Sequence, residues 1–245
     1  MILPSLLEYS IYDMNKRIEQ IFGLLQENKL ESLIKTSNLD SFDNLHLHLD
    51  FVLPQFAKDR SPILTSLSFE TIFSCLKTKF RKNKLNLTVH LMGELEDISK
   101  AWNYFKTFRK PKNWVITLFV PLNHCQAWKK EFQKYTIGAW IDLNQWLDLS
   151  KVTSIKDSLG SIENILVMTV VAGKSGQKLE QITISHLSEF IINVGQSKSY
   201  IVDGGWSQEI AYQYQNMHPN QNHIDFVSYG SFWGGVEDYI KSTSA

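Results

Sequence analysis

Apolar residues recur along this chain in two rhythms that alternate from one end to the other. Short runs rich in β-branched and apolar residues lie at 2–7 (ILPSLL), 45–51 (LHLHLDF), 85–92 (LNLTVHLM), 114–120 (WVITLFV), 137–143 (IGAWIDL), 164–171 (NILVMTVV), 199–203 (SYIVD) and 225–229 (DFVSY). Their length and composition predict strands. Between them run longer stretches with helical spacing: Asp13–Asn28, Phe69–Phe80, Leu95–Phe108, Cys125–Tyr135, Leu179–Val194 and Ser207–Met217. A short eighth helix is expected around Val236–Ile240, with the chain end leaning on a neighbour for burial. Eight strand–helix pairs in about 250 residues predict an α/β fold of the (β/α)8 TIM-barrel type. The alternative is an open doubly wound sheet, which the missing GxGxxG after the first strand disfavours. No linker or composition break divides the chain, so residues 1–245 read as a single domain.

One strand carries unusual chemistry. In LHLHLD, Leu45, Leu47, Leu49 and Phe51 share one face while His46, His48 and Asp50 share the other. Burying such polar groups without partners costs on the order of 2–7 kcal/mol for each neutral one. In a barrel the leucine face packs on the helices and the polar face lines the lumen, with Asp50 nearest the C-terminal rim, where functional side chains gather. The third strand repeats the arrangement: Asn86, Thr88, His90 and Met92 fall on the lumen parity, with His90 near the rim. The seventh ends in Asp203. His48, Asp50, His90 and Asp203 together make a mixed nitrogen and oxygen site for one divalent metal ion, suited to zinc, iron or manganese. His46, one layer deeper, reads as structural, and His124, His186, His218 and His223 have no ligand spacing.

Gly204-Gly205 follows the seventh strand and Gly230-Ser231 the eighth. Barrels often grip phosphate with backbone N–H groups from these two loops. A third glycine loop, Ala172-Gly173-Lys174-Ser175-Gly176-Gln177, is placed to cover a ligand after the sixth strand. Lys and Arg number 25 against 25 Asp and Glu, which gives no electrostatic reason to expect nucleic acid or an anionic membrane as partner. The basic runs 79–84 and 109–112 read as solvated helix ends and loops. Two isolated cysteines, Cys75 and Cys125, fit a reducing, cytoplasmic setting, and no segment has the length of a membrane span.

Several of these stretches, taken in order, resemble the ribulose-phosphate 3-epimerase family and its relatives acting on allulose 6-phosphate. Pro4-Ser5-Leu6-Leu7 looks like the family's opening, His48-Leu49-Asp50 like its His-x-Asp, and Val89-His90-Leu91-Met92 like its Val-His-Leu-Met. Val167-Met168-Thr169-Val170 with Gly176-Gln177, then Val202-Asp203-Gly204-Gly205, then Gly230-Ser231, follow in order and approximate spacing. The resemblance implies a metal-dependent barrel that inverts C3 of a ketose phosphate, D-ribulose 5-phosphate to D-xylulose 5-phosphate, and associates as a homo-oligomer. It implies that His48, Asp50, His90 and Asp203 hold the metal and that Asp50 and Asp203 are the acid/base pair. Ser5 matches a substrate-contacting serine, Met92 and Met168 match pocket methionines, and Gly205, Gly230 and Ser231 match the phosphate grip. The chain departs from the family pattern at Glu8, Val52, Leu53-Pro54, Phe119 and Lys174. These departures keep two other readings open: a hexulose-6-phosphate 3-epimerase, or a non-catalytic sugar-phosphate binder.

Overall fold

A computed structural model describes residues 2–6, 11–27, 44–53, 68–143, 152–172, 177–179, 181–221 and 223–243. Eight strands and eight α-helices alternate along them. The strands are β1 (Ile2–Leu6), β2 (Asn44–Val52), β3 (Lys84–Met92), β4 (Trp114–Pro121), β5 (Thr136–Asp142), β6 (Asn164–Met168), β7 (Ser199–Asp203) and β8 (Ile224–Ser228). The helices are α1 (Ile11–Gln26), α2 (Phe69–Phe80), α3 (Leu95–Thr107), α4 (Cys125–Glu131), α5 (Val152–Leu159), α6 (Gln181–Val194), α7 (Gln208–Met217) and α8 (Gly230–Thr243). All strand pairs are parallel, each strand pairs with the next, and β1 pairs β8 to close the barrel. The expected (β/α)8 barrel is therefore the fold.

The two-residue period of the strands sorts their side chains into two cores. Leu47, Leu87, Val89, Ile116, Ala139 and Val202 face outward and are buried beneath the helices. Leu3, Val52, Met92, Phe119, Leu166, Met168 and Ile201 face inward and fill the lumen. Phe119 illustrates how tightly that lumen is packed: a Cβ built at Gly138 of the neighbouring strand would lie 2.4 Å from the Phe119 ring and 2.9 Å from the Asn164 carbonyl oxygen. Gly138→Ala is therefore expected to cost roughly 1–3 kcal/mol of stability, read by chemical denaturation; an unchanged midpoint would show that the ring moves aside freely.

Three boundaries differ from the sequence reading. The eighth helix is not short: it runs Gly230–Thr243, with Phe232, Trp233 and Val236 buried. Gly230, Gly234 and Gly235 lower its intrinsic propensity, and tertiary burial overrides them. The sixth strand ends at Met168 rather than continuing to Val171, where Thr169 donates its N–H to the Asp203 carbonyl and its hydroxyl to the Gly204 carbonyl at the exit of β7. Helix α5 is absent from the six helical stretches that periodicity picks out, since VTSIKDSL mixes β-branched residues and serines.

Candidate metal centre at the barrel mouth

β2, β3 and β7 deliver the four candidate donors to one point at the C-terminal end of the barrel. His48 Nε2 lies 3.1 Å from Asp50 Oδ1 and 3.5 Å from Asp203 Oδ2. His90 Nδ1 lies at the same two separations, 3.1 Å and 3.5 Å, from the same two oxygens. One ligand atom from each of the four residues can be chosen so that all lie within 4.8 Å of one another. Tetrahedral coordination at about 2.0–2.1 Å per ligand implies edges of roughly 3.3–3.4 Å, and the four His–Asp separations, 3.1 and 3.5 Å, bracket that value. The donor set thus fits a divalent transition metal of borderline softness.

Protonation behaviour points the same way. Burial would push the His48 imidazolium down, but the Asp50 and Asp203 carboxylates outweigh it and bring its pKa up to about 10. His90 is raised against the same burial by the same pair. Burial would push Asp50 up, yet the charge and hydrogen bonds of His48 and His90 hold it well below the usual carboxylate range. In other words, the carboxylates recruit positive charge to this spot, as protons when no metal is present.

Neighbouring groups fix the donors. Thr88 Oγ1 donates to the Leu47 carbonyl at 3.3 Å, so at 2.9 Å it accepts from His48 Nδ1–H, which leaves Nε2 to face the carboxylates. Ser5 Oγ donates to Asp50 Oδ2 at 3.0 Å. Three indoles then hold the strands that carry these groups. Trp233 Nε1 donates to the Ser5 carbonyl at 2.9 Å. Trp206 Nε1 donates at 2.9 Å to Thr169 Oγ1, whose own proton goes to the Gly204 carbonyl at 2.7 Å. Trp140 Nε1 donates to the Leu91 carbonyl at 2.9 Å, and its ring meets His90 edge to face at 5.3 Å. The register pairing His90 with Phe119 would bring Pro121 opposite that carbonyl, and proline has no N–H to offer. The indole supplies the missing donor.

The other expected site residues sit as follows. Met92 and Met168 end β3 and β6 and pack with Val52, Phe119 and Val170 just inside the mouth. Gly204 and Gly205 adopt φ of 113° and 77°, a region that favours glycine. A Cβ at Gly205 would lie 2.7 Å from the Leu179 nitrogen, and one at Gly204 2.3 Å from Val170 Cγ2. Gly230 and Ser231 form the first turn of α8, and a Cβ at Gly230 would meet open space. Gly173, Gly176, Lys174, Pro54 and Glu8 lie outside the described residues. His46 is apart from the centre, accepting from Asn86 Nδ2 at 2.6 Å. Thr88 and the three indoles were not singled out from the sequence; the available signal was lumen parity for Thr88 and Trp140, and none marked Trp206 or Trp233.

Fold and site together define a (β/α)8 barrel with a His/Asp group at its C-terminal mouth that could hold a metal ion. A model of the ribulose-phosphate 3 epimerase family matches residues 29–224. The chain belongs to that family, a family of isomerases. No curated protein sequence matches it. Among solved structures it is similar to two mutants of the tryptophan synthase alpha-subunit from the hyperthermophile Pyrococcus furiosus. These have TM-scores of 0.56 and 0.54 at 10% identity, each covering 100% of this chain and 98% of that one. Another structure of that A-subunit from the same organism gives a TM-score of 0.52 at 10% identity over 94% of this chain and 93% of that one. At this identity the likeness is one of fold alone.

Proposed function

We propose that this chain, working as one domain over residues 1–245, is a ribulose-phosphate 3-epimerase that inverts C3 of a ketose phosphate, D-ribulose 5-phosphate being the first candidate. The observation that carries the reading is the convergence of two carboxylates, Asp50 and Asp203, on the same pair of histidines at the barrel mouth. Inversion beside a ketone needs a base on one face of the carbon and an acid on the other. Asp50 and Asp203 come from β2 and β7, with β1 and β8 between them around the mouth, which supports giving one face to each. His48, Asp50, His90 and Asp203 are the residues that would hold a divalent cation, and such a cation supplies Lewis acidity for the negative charge that develops on the substrate's oxygens.

Met92, Met168 and Val52 line the floor with apolar surface and exclude water from the reacting carbon. The glycine turn after β7 and the first turn of α8 offer N–H groups for the phosphate. A binder that had lost its chemistry would have no need to keep two carboxylates and two histidines gathered at one point, three of them buried, at the desolvation cost that even paired charges carry. The test is conversion of D-ribulose 5-phosphate by metal-loaded protein: formation of D-xylulose 5-phosphate supports the reading, and an inert substrate at high protein concentration contradicts it and turns attention to hexulose 6-phosphates.

A further inference from the structure

The face opposite the metal centre carries a second feature. Three helix-to-strand turns there are basic: KTKFRKNK (77–84) leads into β3, KTFRKPK (106–112) leads towards β4, and KKEFQK (129–134) leads towards β5. Together they hold twelve Lys or Arg and a single acidic residue, Glu131, already paired with Lys106 at 3.0 Å. The zero net charge of the chain hides this segregation, because the compensating carboxylates lie elsewhere. Consecutive strands of a parallel barrel start at the same end, and hydrogen bonds staple the turns together. Asn113 Nδ2 donates to the Arg81 carbonyl at 3.1 Å and also to that of Asn83, while Lys134 Nζ donates to the Phe108 carbonyl at 3.0 Å.

Helix dipoles favour cations at C-termini, but that does not account for the clustering, since α1, α6 and α7 end without any. Half of the twelve cations have structural duties. Lys79 pairs with Glu19, Lys77 sits over the Phe108 ring, and Lys106, Lys110, Lys129 and Lys134 bond carboxylate, hydroxyl or carbonyl oxygens. The other six, Arg81, Lys82, Lys84, Arg109, Lys112 and Lys130, are exposed and make no hydrogen bond or ion pair through their side chains among the described residues.

We propose that this face binds the phosphate backbone of double-stranded nucleic acid without sequence preference. The chemistry favours that partner over a lipid surface. Among the described residues, Val115 is the one large exposed apolar side chain near these turns, too little apolar surface for a bilayer, where stable attachment needs an apolar signal besides charge. Phosphate neutralisation alone, by contrast, is enough for non-specific binding to a duplex. The aromatic rings near the turns, Phe108, Trp114 and Tyr135, are buried and offer no stacking platform for unpaired bases. The proposal is independent of the reading of the barrel mouth.

The experiment is fluorescence anisotropy of labelled RNA and DNA duplexes titrated with the full-length protein at several salt concentrations, beside a sedimentation assay with phosphatidylserine vesicles. Six phosphate contacts predict a slope of log K against log salt of roughly −5, an affinity loss of about 10³-fold between about 50 and 200 mM salt. Combining Lys82→Ala, Arg109→Ala, Lys112→Ala and Lys130→Ala, with thermal melting to verify the fold, is expected to cut that slope to roughly −2. The two duplex arms distinguish an RNA from a DNA backbone. Absence of binding at low salt, an unchanged slope in the folded variant, or binding to vesicles but to neither duplex each overturns the proposal.

Discussion

Replacing Asp203 by asparagine is expected to lower epimerisation by roughly 10²–10⁴-fold, the usual contribution of a positioned acid or base, and Asp50→Asn is expected to do the same. Asparagine keeps the shape and one oxygen, so the barrel mouth stays packed while the proton acceptor is lost. The two variants should not fail identically. With one carboxylate gone, the other can still take the C3 proton from the epimer whose hydrogen faces it and return a proton to the same face. Exchange of that hydrogen with solvent should therefore outlast inversion, for one epimer in Asp50→Asn and for the other in Asp203→Asn. Loss of a donor from the His/Asp group is also expected to weaken metal binding, so the comparison belongs at saturating metal. Near-normal inversion by either variant would remove that carboxylate from the acid/base pair.

Metal binding should release protons at neutral pH, and its apparent affinity should rise steeply with pH. A ligating imidazole must be neutral, yet in the metal-free protein His48 titrates only near pH 10 and His90 is also raised. At pH 7.5 a cation therefore displaces about one to two protons, and affinity falls by roughly 10–100-fold for each pH unit lowered, according to that number. The same shift bears on stability. A histidine whose folded pKa lies above its ordinary 6.5 contributes stability that is complete below pH 6.5 and is lost as pH rises towards 10. The metal-free protein should thus lose stability between pH 6.5 and 10, and the gap in melting temperature between loaded and metal-free protein should widen over that interval. Calorimetry in buffers of different ionisation enthalpy counts the protons; no release anywhere between pH 6.5 and 9 would mean that the histidines are neutral before the metal arrives.

Much of the barrel and the donor set was legible because both rest on the strand period. Alternation in LHLHLD and LNLTVHLM is enough to put His48, Asp50 and His90 on the lumen side, and the register Asp50 opposite His90 follows once β2 and β3 pair. The predicted strands 45–51, 85–92 and 114–120 fall within a residue of those observed. What escaped depends on contacts between residues far apart in the chain. Trp140 reaches Leu91 across 49 positions, Trp206 reaches Thr169 across 37, and Trp233 reaches Ser5 across 228; no local pattern announces such a bond. Helix α5 escaped and α8 was read too short because their serines, β-branched residues and glycines speak against helix, and burial of Ile155 and Leu159 in one and of Trp233 and Val236 in the other decides otherwise. The basic runs 79–84 and 109–112 were plain in the sequence, but the third at 129–134 and the convergence of all three need the order of β3, β4 and β5.

The central claim is that two carboxylates at the barrel mouth move the C3 proton of a ketose phosphate. Proton NMR of D-ribulose 5-phosphate in D2O with metal-loaded protein tests it most directly. The account predicts loss of the C3 proton signal together with the appearance of D-xylulose 5-phosphate carrying deuterium at C3. A product that keeps its C3 hydrogen, or a C3 signal that persists for ribulose and hexulose phosphates alike, would contradict it.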